Sequence, residues 1–248
     1  MSRSAVVVAH PDDEILWLSS VLAQAEPLIF CFGAPYNNPG MTKNRANAVS
    51  ALAFPHLVNL AIPESGARLL VDYKHPQFTP TGIAILNAQA QARYDENFHI
   101  LREKLRSHLT GVRDVYSHNP WGEYGHSEHI QLYRVLQALQ KQLGFTLWFS
   151  NYVAPRSYAL AQSLGHAPLW QSKRVVPTDP HITQRWRKIY RQHRAWTWSR
   201  WYQWPAQETL YAQPSSTAQS WHSLKGETLL NVDRLRPWRS SSRAIIKF

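Results

Sequence analysis

Apolar residues fall along this chain in short unbroken runs, divided by polar turns and by stretches of three-and-four spacing. Ala5 to Ala9 is one such run, a strand's length with no polar interruption, as a strand buried on both faces requires. Ile15, Leu16, Leu18, Val21 and Leu22 behind it follow helical spacing. Pro27 to Phe32 repeats the strand and Thr42 to Phe54 the helix, with Ala46, Val49 and Ala53 on one face, and Leu57 to Ala61 is a third strand. This βαβαβ alternation predicts a parallel sheet.

Between them, Gly33 to Gly40 is rich in Pro, Gly and Asn and predicts a substantial loop at the sheet edge of His10. From Pro63 to about Gln89 the pattern weakens at Pro76, Pro80 and Gly82, which predicts an irregular excursion able to cover a site. Asp95 to Leu109 places Phe98, Leu101, Leu105 and Leu109 on one helical stripe, and Gly111 ends it. Asp114 to Ser117 is a short strand, Leu132, Val135, Leu136 and Leu139 mark the next helix, and Thr146 to Ser150 is a further buried strand. The sheet is expected to be complete near that point.

The fold class is therefore α/β, a Rossmann-like three-layer arrangement with a mostly parallel sheet. Residues 1–155 form its core. Residues 156–248 read as a basic, aromatic-rich C-terminal extension packed on that core, with a helix over Thr183 to Trp198 and a tail from Gln203 rich in Ser, Gln and Trp.

Composition narrows the function classes. A 44% hydrophobic content over 248 residues can bury a full core, which excludes disordered and fibrous classes. The single cysteine, Cys31, rules out a disulfide framework and a Cys-based zinc knuckle, so any metal must use His and carboxylate ligands. No run has the length of a spanning helix or a signal-peptide core, and the expectation is a soluble, cytoplasmic protein. A net charge of +11 favours an anionic partner, whether nucleic acid, a membrane face or a phosphate-bearing substrate.

Two polar loops carry the chemistry. His10-Pro11-Asp12-Asp13-Glu14 joins the first strand to its helix, and His126 and His129 lie in the loop after Asp114 to Ser117. Open α/β sheets place their ligands at the carboxyl ends of such strands. His10 and Asp13 are three apart, as are His126 and His129, so each pair can aim at one ion, and the two loops together can supply three ligands. A lone His-x-x-Asp or His-x-x-His is more often a cap or a surface pair, and Asp12 or Asp13 alone suits a helix cap. Coincidence of both pairs with strand ends favours the metal.

Ala9 to Glu14 after a hydrophobic strand, with Gly122-Glu123-Tyr124-Gly125-His126-Ser127-Glu128-His129 about a hundred residues later, resembles the LmbE-like or PIG-L family of zinc-dependent N-acetylglucosaminyl de-N-acetylases over roughly residues 4 to 150. The resemblance implies that His10, Asp13 and His129 ligate one Zn2+, that Asp12 is the general base, and that His126, as imidazolium, stabilises the oxyanion. It implies that Tyr124 lines the mouth and that Arg45 faces the substrate sugar. Glu123 is assigned a structural role in its loop. The implied substrate is an N-acetylated amino sugar or glycoconjugate, and the positive charge adds phosphate as a substituent.

Three departures from the family pattern stand out. Glu128 replaces the usual Asp between the histidines, and Ser19-Ser20 replaces a Gly-Gly pair, small for small. The acidic residue that usually follows the arginine is absent, Ala48 standing there. His118 and Asn119 are candidates for lining the pocket. Trp186, Trp196, Trp198, Trp201 and Trp204, interleaved with arginines, suit sugar stacking, nucleic acid or peripheral membrane contact, or an ordinary helix that buries its aromatics. Alternatives of another class are hydrolysis of a different amide at the same zinc, or nucleic-acid or membrane binding on a degenerate deacetylase scaffold. Nucleic acid is the less favoured partner, because a binding module has no need of Asp12 beside three ligands.

Overall fold

The computed structural model describes residues 3–164, 169–213, 222–224, 226–234 and 245–247. The chain opens with β1 (Ser4–Val8), α1 (Asp13–Trp17), β2 (Ala25–Ala34), α2 (Pro39–Ala51) and β3 (Leu57–Pro63). A two-residue hairpin, β4 (Phe78–Thr79) and β5 (Gly82–Ile83), interrupts the excursion that follows. Then come α3 (Ala88–Leu109), β6 (Asp114–Ser117), α4 (Gly122–Gly125), α5 (Ser127–Leu143) and β7 (Thr146–Ser150). Helix α3 begins at Ala88, ahead of the expected Asp95, because the Asn87 side chain caps it by accepting from the Ala90 N–H at 2.9 Å.

Strands β3, β2, β1, β6 and β7 lie side by side in that order, all parallel. The chain leaves β1 for β2 and β3 on one side and returns to β6 on the other. A crevice therefore opens beyond the carboxyl ends of β1 and β6, where the order reverses. Alternate residues feed opposite faces: Ala5, Val7, Ile29 and Cys31 pack with Leu101, Leu105, Leu132 and Leu136 of α3 and α5. Val6, Val8, Leu28 and Phe30 pack with Ile15, Leu16, Ala48 and Val49 of α1 and α2. These are the three layers.

The sheet does not end at β7. After β8 (Tyr152–Val153), α6 (Pro155–Ser163), β9 (Leu169–Trp170), β10 (Ser172–Pro177) and α7 (Pro180–Gln192), strand β11 (Gln207–Gln213) pairs antiparallel with β7 and then with β10. The full order is β10-β11-β7-β6-β1-β2-β3. Short strands β12 (His222–Ser223), β13 (Thr228–Asn231) and β14 (Ile245–Lys247) pair with β9, β8 and each other at the margin. Glu208 of β11 is buried and accepts from the hydroxyls of Ser19 (2.8 Å) and Ser20 (2.6 Å) and from Tyr152 Oη (3.1 Å). The serines thus serve as donors as well as small packing residues.

Helix α7 stops at Gln192, short of the expected Trp198, and Ala195 N turns back to Tyr190 O at 2.8 Å. Trp186 is fully buried against α2 and the sheet, Trp196, Trp198 and Trp204 pack against the same core, and Trp201 is exposed. Much of the Ser- and Gln-rich tail, residues 214–221 and 235–244, lies outside the described residues. Among the described residues no helix is long and apolar enough to cross a membrane.

Candidate metal centre and active site

The first loop turns on a strained residue. Asp12 has φ of 96°, left-handed for a side chain that seldom adopts it, and Asp13 starts α1 directly behind it. That turn separates the two carboxylates. Asp13 Oδ2 accepts from the His10 N–H at 2.8 Å, and Asp13 Oδ1 accepts from Trp17 Nε1 at 3.0 Å. Asp12 Oδ2 instead accepts from Thr197, from its N–H and its hydroxyl, each at 2.8 Å.

The second loop meets the first at the crevice. His10 Nδ1 lies 3.1 Å from Asp13 Oδ2, His129 Nε2 lies 3.2 Å from the same oxygen, and the two nitrogens are 3.3 Å apart. Zinc bonds of about 2.0–2.1 Å set the donor atoms of a tetrahedral site about 3.3–3.4 Å apart. Two imidazole nitrogens and one carboxylate oxygen at that spacing fit such an ion and leave a fourth position for another ligand. His126 is also within reach, its ligand atom and those of His10 and His129 lying within 4.8 Å of one another. However, His126 Nδ1 already accepts from the Glu128 N–H at 3.3 Å.

Carboxylates behind the ring orient each histidine. Glu123 Oε2 lies 2.7 Å from His129 Nδ1 and 2.9 Å from His118 Nδ1, which fixes the His129 ring with Nε2 facing the triangle. Glu128 Oε2 lies 3.1 Å from His10 Nε2, leaving Nδ1 for the ion. The other Glu128 oxygen accepts from Ser65 N (2.8 Å) and Ser65 Oγ (2.9 Å). Backbone strain accompanies this arrangement: Glu123 has φ of 50°. Gly122 before it has φ of +66°, and a Cβ there would sit 3.0 Å from Ile130 Cγ1.

Charges follow the contacts. Burial pushes the His10 imidazole down, but Glu64, Asp13 and Glu128 outweigh it and lift it to about 10. Burial raises Asp13, yet His129, His10 and His118 hold it well below the usual carboxylate range. Burial together with the Asp13 charge lifts Asp12 to about 7. Burial, His129 and His10 press His126 well below its ordinary value. Its neutral ring, with Nδ1 accepting, carries the proton on Nε2 as a donor. In the metal-free site, burial and the His129 and His10 charges thus disfavour the imidazolium form that the resemblance implies.

A polar cavity of about 150 Å³ opens at this point, lined by His10, Asp12, Asp13, Tyr124, His126 and Thr197 together with Asn38, Arg45, Glu64 and Arg68. Arg45 is buried in α2 rather than solvated, and its Nη1 lies 2.6 Å from Glu64 Oε1. Glu64, just after β3, thus supplies the carboxylate that Ala48 does not. The Tyr124 ring stands against Trp198 (4.9 Å between centroids) and His126 (5.7 Å).

The structure brings His10, Asp12, Asp13, Arg45, Tyr124, His126 and His129 together around this cavity and its floor. His118 and Asn119 do not line it. His118 Nε2 accepts from the Ala9 N–H at 2.9 Å, and Asn119 bonds Glu123 N, Ser150 O and Tyr152 O. Both brace the second loop from beneath. Sequence reasoning missed the support given by Glu123 and Glu128, and it missed Glu64, Arg68 and Thr197. Glu64 and Arg68 sit in the unpatterned excursion, and Thr197 sits near the end of the segment expected to be helical, where no motif spacing marks it.

No family model and no curated protein matches the chain. Among solved structures it is similar to the zinc-inhibited form of a teicoplanin deacetylase, at 13% identity over 85% of this chain and 97% of that one, with a TM-score of 0.55. A deacetylase–teicoplanin complex matches at 12% identity over 85% and 97%, TM-score 0.54. A deacetylase of the A40926 pseudoaglycone matches at 14% over 88% and 99%, TM-score 0.50. This chain has the fold of those deacetylases. The likeness covers most of this chain and nearly the whole of each of those structures.

Proposed function

We propose that the protein is a zinc-dependent hydrolase that removes the acetyl group from an N-acetylated amino sugar, free or in a glycoconjugate. The observation that carries this reading is the convergence of His10 Nδ1, Asp13 Oδ2 and His129 Nε2 at 3.1–3.3 Å, with the Asp12 carboxylate in the wall of the same cavity. The shared fold with deacetylases, one of them in a zinc-inhibited form, supports it.

Zinc held by His10, Asp13 and His129 supplies Lewis-acid polarisation of oxygen atoms at this point. Asp12, lifted to about 7, is matched to taking a proton from the attacking water near neutrality and returning it to the amine as the C–N bond breaks. His126 offers its Nε2–H to the oxygen that gains charge in the tetrahedral intermediate. Arg45, fixed by Glu64, and Tyr124 hold the sugar. The products are acetate and the free amine.

The basic charge supports a phosphate or other anionic group on the substrate. Arg68 stands on the cavity rim, exposed, with no acidic partner among the described residues. Turnover indifferent to the phosphate and to salt would remove this refinement. The rival reading, a nucleic-acid or membrane surface, loses its main support because Trp186, Trp196, Trp198 and Trp204 pack against the core.

Metal analysis with an acetate-release screen over N-acetyl sugars tests the proposal. The expected result is about one zinc per chain and acetate release that falls about 10²- to 10⁴-fold, to a measurable residue, in Asp12→Ala with zinc retained, while His129→Ala weakens zinc binding. Protein that neither holds zinc nor gains activity from added zinc would overturn it.

A further inference from the structure

We infer that Thr197, 185 residues beyond Asp12, is the positioning residue for the Asp12 carboxylate. The inference rests on the hydrolytic reading above for its kinetic consequence and on geometry alone for its structural one.

A carboxylate's terminal torsion is broad and has no deep minimum of its own, so its direction is set by its partners. Asp12 has few of them. It stands in a left-handed turn beside Asp13, and Thr197 supplies both hydrogen bonds that its carboxylate accepts among the described residues. Both fall on Oδ2, one from the Thr197 N–H and one from its hydroxyl, each at 2.8 Å. Two donors from one residue on one oxygen fix the plane of the group. Oδ1 is left as the oxygen that can meet a proton in the cavity.

Thr197 can do this because the segment carrying it is fastened to α1. Tyr202 Oη donates to Leu16 O at 3.2 Å, Trp204 Nε1 donates to Ile15 O, and Trp198 packs edge-on to Trp17 at 5.3 Å. On the other side, Ala195 N is held by Tyr190 O, and Tyr190 Oη donates to Glu14 Oε1 at 2.6 Å. The second Glu14 oxygen accepts from the Asp12 N–H at 3.0 Å. Helix α7 and the strap behind it therefore hold Asp12 at both ends, the backbone through Glu14 and the carboxylate through Thr197. Thr197 itself is exposed at the cavity rim while both its donors point inward, a placement that core packing does not explain.

The test compares Thr197→Val, which is nearly isosteric and lacks the hydroxyl, with Thr197→Ser, which keeps it. The expected result is that Thr197→Val lowers kcat about tenfold, with KM and zinc content unchanged, and that Thr197→Ser stays within about twofold of wild type. In an Asp12→Ala background Thr197→Val should change nothing further, since a positioning residue has no effect once its target is gone. Crystal structures of the two variants give a readout free of turnover: the Asp12 carboxylate turns in Thr197→Val and keeps its place in Thr197→Ser. A Thr197→Val protein with unaltered kcat and an unmoved carboxylate would overturn the inference, as would equal losses in both backgrounds. If zinc-loaded wild type releases no acetate from any substrate, the hydrolytic reading fails, and the carboxylate geometry alone then decides the role of Thr197.

Discussion

Glu128 Oε2 lies 3.1 Å from His10 Nε2, although Glu128 is the chain neighbour of His129 and stands 118 residues from His10. The two loops are thus joined by a carboxylate that crosses from one to the other, as well as by an ion both could hold. Its second oxygen is occupied by Ser65, so the side chain is fixed at both ends. This decides what the longer side chain at position 128 does: it reaches across to the first loop and leaves His126, which takes the Glu128 backbone N–H instead.

Replacement of Glu128 by Gln should therefore weaken zinc binding about 10- to 100-fold, the usual cost of losing a carboxylate behind a ligating imidazole. Chelator competition measures it. Unchanged affinity would show that His10 is oriented without Glu128.

The metal-free site holds protons that an ion must displace. His10 is lifted to about 10, so it is charged at neutral pH, and its Nδ1 proton occupies the space where a cation would sit. Zinc binding should release at least one proton per chain at pH 7, from His10, with His129, which Asp13 and Glu123 raise against burial, adding to it, and affinity should climb with pH until His10 deprotonates near 10. Titration calorimetry in two buffers of different ionisation enthalpy reads the proton number. The same shift acts on the metal-free fold: a raised pKa in the folded state lends stability that is complete below about 6.5 and is lost as pH rises through about 10. Zinc should accordingly protect the protein most at alkaline pH. A proton release of zero would contradict the charged His10.

Strands β1, β2 and β7 were legible because each is a largely apolar run buried along most of its length, and β3 and β6 because each follows a segment of helical spacing in a repeating βα pattern. Strands β10 and β11 were not. Lys173, Arg174 and Val175 of β10 are exposed at the sheet edge, and β11 opens on Gln207 and the buried Glu208, so neither shows a run or a clean alternation. The site divided the same way. His10, Asp12, Asp13, His126 and His129 announce themselves by spacing next to strand ends. Glu64 and Thr197 gain meaning only from a long-range partner, Arg45 in one case and Asp12 in the other. Glu123 was read as structural, and its work on His129 and His118 is visible only once two imidazoles converge on it.

Asp12→Asn separates the two effects of that carboxylate. In the metal-free protein burial and Asp13 raise it from 3.8 to about 7, so between those values the folded state binds more protons than the unfolded one. Stability from this group is therefore highest below about 3.8 and falls as pH rises to about 7, beyond which a buried anion beside Asp13 remains. Asparagine keeps an oxygen for the Thr197 donors and removes the charge. The metal-free Asp12→Asn protein should be more stable than wild type at pH 8, by on the order of 1–4 kcal/mol, and the gap should close toward pH 4. Thermal melts at the two pH values measure it. Turnover moves the opposite way: without a base at that position kcat should fall about 10²- to 10⁴-fold with zinc content unchanged. A variant that is both stabilised and inactive is the signature of a group kept at a cost in stability for its proton chemistry. A variant destabilised at pH 8 would show that the Asp12 charge is compensated within the fold.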